Sequence, residues 1–205
     1  LLATPTRLLL LATPARLLRR RHCEAVLCGA VEEFSRERAW LEYRARSGGR
    51  HRQPVGPLGE GCALFLLESA GRAEAYGRPA LASLLASRFI AFPDPEGADE
   101  AVARAVREAL KEADVRVEDV GLLVPSDGGG ELGAREDAAL AGIFGEHRPP
   151  RLRLRRLVGD LGAASASLQV AGVVAAGGSG EVALVTSVDA DGQAGAVVLR
   201  VGSSR

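Results

Sequence analysis

The chain has 205 residues, of which 47% are apolar and 25% charged, a balance that predicts a soluble globular protein with a core of its own. Basic and acidic side chains number 26 each, so no global charge steers the protein toward nucleic acid or an anionic membrane. Three cysteines, Cys23, Cys28 and Cys62, sit in apolar runs and read as buried, reduced thiols, which fits a cytoplasmic compartment.

The first residue is leucine, so a fragment of a longer protein is one reading of the chain. The leucine-rich start does not read as a secretory signal. Arg7 and Arg16 interrupt it, Arg19-Arg20-Arg21 comes after the apolar run, and no small-residue cleavage site follows. No apolar run approaches the length of a membrane span. The stretch from Leu2 to Leu9 is echoed from Leu11 to Leu18, a local duplication too short for a solenoid. Pro14 is expected to break any helix begun earlier and to open a short one reaching Arg21.

Glu24 to Gly29 is predicted as a buried strand, and Ala30 to Arg44 as a mixed polar segment holding the one tryptophan, Trp40. Ser47 to Gly61 is a loop rich in Gly, Pro and Arg. Cys62 to Leu67 is a strand, Ala70 to Tyr76 a short helix, and Ala80 to Ile90 an extended run, with a second loop over Pro93 to Gly97. Ala98 to Ala113 is a helix, because Ala101, Val102, Ala105, Val106, Ala109 and Leu110 recur at helical spacing. A strand over Leu122 to Val124 follows, then a helix over Gly133 to Phe144 closed by Gly145. The alternation of Leu and Arg places a strand at Leu152 to Leu157. Leu161 to Ala176 is a small-residue helix that must pack closely, and Glu181 to Val188 and Gln193 to Val201 form a hairpin about Asp189-Ala190-Asp191-Gly192. This order predicts a layered α/β fold with a mixed sheet.

Two glycine-rich turns mark the candidate site, Ser126 to Gly130 and Gly159 to Gly162, each set between an apolar run and a helix. Phosphate binding at the first is opposed by Asp127 and Glu131, and no Lys-Ser/Thr pair follows it. The arginines between Arg148 and Arg156 read either as a phosphate site or as a solvated basic strand edge. Asp189 to Gly192 has the start of a calcium loop but lacks its closing Glu. His22, His51 and His147 lie in Arg-rich or loop contexts and are expected at the solvated surface.

Gly59-Glu60-Gly61-Cys62-Ala63 followed by Leu64 to Glu68 resembles a signature of the β-ketoacyl-acyl-carrier-protein synthases, or ketosynthases. Arg72 to Pro79 is similar to the family's next segment, and Cys23 to Ala30 to the strand after its nucleophile helix. Glu136, Ala139, Leu140 and Phe144-Gly145 keep the spacing of the helix after the first histidine motif, and Gly162 to Ser165 resembles the turn after the second. The resemblance implies a thiolase-like layered fold, with residues 59–205 as a complete C-terminal half and residues 1–58 as a remnant of the N-terminal half.

The resemblance also implies a catalytic set of one cysteine, two histidines and a lysine. The matching positions here are Thr4 for the nucleophile, Pro125 and Asp160 for the histidines (with Gly159 the other register for the second), and Arg155 for the lysine. The gatekeeper turn is reduced to Asp189 to Gln193. These replacements imply a protein of chain-length-factor type, which partners an active ketosynthase, or itself, without condensing. An acyl carrier protein is a further expected partner; no cofactor, metal, nucleic acid or membrane is expected. An altered acyltransferase or hydrolase using Asp127 or Asp160 as acid or base is a second reading, and a truncated ketosynthase fragment is a third.

Overall fold

The computed structural model describes residues 8–47 and 57–202. Helix α1 (Leu9–Arg19) leads into strand β1 (Ala25–Glu32), helix α2 (Arg36–Ser47), strand β2 (Gly61–Glu68) and the short helix α3 (Ala70–Ala75). Strand β3 (Ala82–Ala91), helix α4 (Ala98–Ala113), strand β4 (Val120–Val124) and helix α5 (Gly130–Phe144) follow. A short helix α6 (Leu154–Val158), helix α7 (Ser165–Ala176) and strands β5 (Val182–Asp189) and β6 (Gln193–Val201) complete the chain.

Four strands form a mixed sheet in the order β3-β6-β5-β4, antiparallel except for the parallel pair β4–β5. Alternation along these strands divides the core in two. Leu123, Leu184, Ala196 and Val198 face α4 and α5, where Val102, Val106, Leu110 and Leu140 are buried. Leu122, Val124, Ala183, Val185, Val197 and Leu199 join the opposite cluster with Val170 and Val173 of α7 and with Leu8 and Leu11. Strands β1 and β2 form a separate antiparallel pair, and α7 lies between the two sheets, touching β2 on one side and β4 and β5 on the other. Its small residues, alanine and serine above all, permit that close placement.

Five expectations are corrected. Helix α1 runs through Pro14 rather than starting there. The bond lost at Leu10 is offset because Leu8, Leu11 and Pro14 are all buried. Strand β1 is not buried on both faces: Leu27 and Val31 are 68% and 69% exposed, and Leu64 and Leu66 of β2 lie on the same open face. Only the other face, with Cys28, Phe65 and Leu67, packs on the core. Consequently the thiols are not buried: Cys62 is exposed and Cys23 and Cys28 are half-buried, burial raising the Cys28 pKa.

The predicted strand over 152–157 is instead helix α6. The chain runs beside β4 only briefly, with Leu123 N–H donating to Pro150 O (2.9 Å) and Leu152 N–H to Leu123 O (2.9 Å). It then turns because Leu152 and Leu154 insert against α7 at Gly172, where a Cβ would stand 2.9 Å and 2.8 Å from their methyls. The alternating arginines are drawn into ion pairs instead of lining a strand edge.

Gly145 closes α5 at φ +53°, with open space where a side chain would project. Gly145→Ala is therefore expected to cost only the strained backbone at φ +53°, ψ −115°, about 1–3 kcal/mol, read from urea denaturation. His147, expected at the solvated surface, is half-buried, and its Nε2 lies 2.9 Å from the Val120 carbonyl, which accepts its N–H. His22 is exposed, and His51 lies outside the described residues.

Candidate functional site

The two glycine-rich turns meet at the carboxyl end of β4. Pro125 follows the strand and is buried. Ser126 then donates from its backbone N–H to Glu136 Oε1 (3.0 Å) and from its hydroxyl to Oε2 (2.7 Å). Thr186 of β5 donates its hydroxyl to the same carboxylate at 2.6 Å. Glu136 is only 1% exposed, and burial pushes its carboxyl pKa up despite the hydrogen bonds from Thr186, Ser126 and Asp127 N–H that favour the charged form. From the α7 side, Gln169 Nε2 donates to the carbonyls of Val124 (3.1 Å) and Thr186 (3.0 Å). The end of β4 is thus pinned from both faces of the sheet by side chains with nearly all their hydrogen-bonding capacity used inside the protein.

Three arginines from the α6 region face this turn. Arg153 pairs with Asp127 and also with Asp137, at 3.0 and 3.1 Å. Burial pulls the Arg153 guanidinium down, but its hydrogen bonds to these carboxylates outweigh that and raise its pKa. Arg156 Nε stands 3.4 Å from the other Asp127 oxygen. Arg155 bridges the two turns: Nη1 donates to Gly128 O at 2.5 Å and Nη2 to Asp160 Oδ2 at 2.7 Å.

Asp160 is 4% exposed. Its Oδ1 accepts the Gly162 N–H at 3.0 Å, closing the second turn on itself. Its backbone is gripped from a third side, where Asp160 O accepts from Gly59 N–H (2.9 Å) and from Arg38 Nη2 (2.9 Å). Arg38 of α2 also donates to Gly59 O (2.8 Å) and stands 3.2 Å from Glu32, whose Oε2 accepts the Ala163 N–H (2.7 Å). The end of β1, the start of β2, α2 and the 159–163 turn are thereby joined in one polar network.

Of the site residues expected from the sequence, Arg155 and Asp160 are brought into direct contact, Pro125 and Asp127 lie on the turn Arg155 bridges to them, and Thr4 lies outside the described residues. The reduced gatekeeper turn is a tight hairpin in which Asp189 Oδ1 accepts from Asp191 N–H (3.1 Å) and Gln193 N–H (3.2 Å). The arrangement can hold two backbone turns rigidly together. Its two acidic candidates, Asp127 and Asp160, both face arginine. Sequence reasoning missed Arg38, Glu32, Gln169 and Thr186 as members of this region, it read Arg153 as part of a phosphate site or a solvated edge rather than as the partner of Asp127 and Asp137, and it saw Glu136 only as a spacing residue. The one signal for Glu136 was a carboxylate in line with Ala139, Leu140 and Phe144 on the buried side of a helix.

No protein-family model matches the chain. Among curated proteins, erythronolide synthase EryA2 of Saccharopolyspora erythraea is 30% identical over an alignment of 175 residues that covers 77% of this chain and 5% of that protein. Among solved structures, the ishigamide ketosynthase/chain length factor superposes with a TM-score of 0.83 at 37% identity, covering 96% of this chain and 54% of that one. A type II polyketide synthase acyl-carrier protein in complex with its ketosynthase gives a TM-score of 0.79 at 17% identity, covering 95% and 60%, a likeness of fold alone. The chain spans little more than half the length of these solved relatives.

Proposed function

This chain belongs to the ketosynthase family, on the thiolase-like fold, and we propose from that premise that it is a non-catalytic partner subunit of fatty-acid or polyketide assembly in the cytoplasm. In this reading residues 59–205 are the C-terminal ketosynthase half and residues 1–58 a remnant of the N-terminal half. The partner is an active ketosynthase or a second copy of the chain, with an acyl carrier protein as a further contact.

The observation that carries the reading is the Arg155–Asp160 pair bridged to Gly128 O. It stands where the resemblance implies a lysine, a histidine and the turn of the other histidine, and it offers no neutral imidazole to polarise a thioester carbonyl or hold an enolate. The Pro125 side chain, at the first histidine position, has neither a proton to donate nor a lone pair to accept one. Loss of one member of such a set typically lowers turnover about a thousandfold or more, and here several are replaced together. The reading as an altered acyltransferase or hydrolase needs a carboxylate available to a substrate, and Asp127 and Asp160 both face guanidinium groups.

Co-expression with an active ketosynthase tests the proposal. The chain is expected to co-purify with it as a stable complex, while the chain alone decarboxylates malonyl thioester no faster than buffer. A monomer that becomes covalently labelled by an acyl thioester overturns the reading.

A further inference from the structure

The last turn of α1 and the residues just past it carry Arg16, Arg19, Arg20, Arg21 and His22, all of them exposed. No acidic residue stands in the chain before Glu24. The two carboxylates that adjoin the cluster are engaged elsewhere: Glu24 pairs with Arg72, and Glu112 pairs with Arg88 while standing 3.9 Å from Arg19. Arg16, Arg20 and Arg21 form no ion pair or side-chain hydrogen bond among the described residues. Arg16 and Arg20 are also four residues apart, a spacing at which like charges destabilise a helix.

The fold accounts for only part of this cluster. The helix dipole favours cations in the last turn, which covers Arg16 and Arg19. It does not cover Arg21. The helix closes with Arg21 N–H donating to Leu18 O and His22 N–H to Leu17 O, both at 3.0 Å, and Arg21 lies in the left-handed region at φ +57°. Glycine is the residue that usually takes this position, and the closing bonds come from the backbone alone. An arginine side chain contributes nothing to the turn and strains it, so what its charge serves lies outside the chain.

We propose that the arginine cluster at the end of α1 docks a carboxylate-rich segment of a protein partner. Guanidinium groups meet carboxylates through paired N–H donors, the strongest kind of surface hydrogen bond. The cluster is short, with about 6 Å of helix rise from Arg16 to Arg20. Setting its four arginines aside leaves 22 basic against 26 acidic side chains in the chain. A nucleic acid or an anionic membrane that overruns the cluster meets this negative remainder, whereas a short acidic segment does not. The inference rests on the partner-subunit reading only in expecting a protein partner.

The probe is a fluorescently labelled synthetic helical peptide with glutamates along one side, titrated with the 205-residue chain and followed by anisotropy. The expected result is a saturable rise that weakens in high salt and needs about tenfold more protein in the variant R16Q/R20Q. The same peptide with glutamine in place of glutamate is expected not to respond. Arg21→Gly separates docking from architecture. It is expected to weaken peptide binding about threefold while the urea denaturation midpoint stays level or rises.

Equal responses to both peptides, or none to either, overturn the proposal. So does an unchanged affinity in R16Q/R20Q, a lowered midpoint with unchanged affinity in Arg21→Gly, or tighter binding of a short DNA duplex or of phosphatidylserine vesicles than of the glutamate peptide. Co-purification with a ketosynthase in the absence of any peptide response removes this docking surface and leaves the partner role standing. A peptide response without co-purification does the reverse.

Discussion

Arg155→Met is expected to destabilise the folded chain by about 3 kcal/mol, the magnitude for removing one partner of a largely buried ion pair. Asp160 is nearly inaccessible and its Oδ2 faces the guanidinium at 2.7 Å, so the substitution leaves a carboxylate in low dielectric without that cation. The same change strips the Gly128 carbonyl of its donor at 2.5 Å. Asp160→Asn is expected to cost less, about 1–2 kcal/mol, because Arg155 is about a quarter exposed and can turn its charge to water. In the double variant R155M/D160L neither charge remains, and the loss is expected to be smaller than the sum of the single losses. Urea denaturation midpoints at neutral pH measure all three. Additive losses, or a wild-type midpoint in Arg155→Met, would show that the pair does not hold the two turns together.

The elements of the four-stranded sheet and its covering helices were legible because their apolar residues either keep one period or form unbroken runs bounded by turns. Ala98 to Ala113 repeats at helical spacing, and the helix occupies those residues in the structure. β5 and β6 are continuous apolar runs about an Asp-Gly turn, and they pair as a hairpin. Period failed where an apolar residue does not face the core. Leu27, Val31, Leu64 and Leu66 have the composition of a buried strand but lie on an open sheet face. At 152–157 alternation arose for another reason: Leu152 and Leu154 pack on α7, while Arg153 and Arg155 reach for Asp127, Asp137 and Asp160.

The site followed the same division. Residues adjacent in sequence to a glycine-rich turn, such as Asp127 and Asp160, were found by position. Arg38 lies 122 residues before the Asp160 carbonyl it holds, and only the fold brings them together. The chemistry of such a contact is also invisible in a sequence, because the acceptors are backbone carbonyls, which every residue carries.

Glu136 should make stability depend on pH in a direction opposite to most carboxylates. Burial raises its folded-state pKa above the ordinary glutamate range. The stabilisation from keeping it protonated is then complete below the unfolded-state value and is lost as pH rises through the folded-state value. Glu68 and Asp119, whose pKa values are lowered by hydrogen bonds from Arg78 and Arg116, act the other way and lose their contribution as pH falls. The contribution of Glu136 is therefore read by difference. Glu136→Gln can keep the bonds that Oε1 accepts from Ser126 N–H and Thr186, and its amide can donate to a reoriented Ser126 hydroxyl. Wild type and this variant are expected to be similar in acid, with wild type falling behind as pH rises, by at most about 1.4 kcal/mol per pH unit for one proton. Glu136→Ala keeps none of these bonds and strands the Ser126 N–H and the Thr186 hydroxyl, so a loss of about 3 kcal/mol is expected even in acid. Denaturation series from the carboxylate range to mild alkali separate the outcomes. A wild-type-minus-Gln difference that stays level with pH means that Glu136 titrates alike in the folded and unfolded chain, and that the turn beside Pro125 is not set by its protonation.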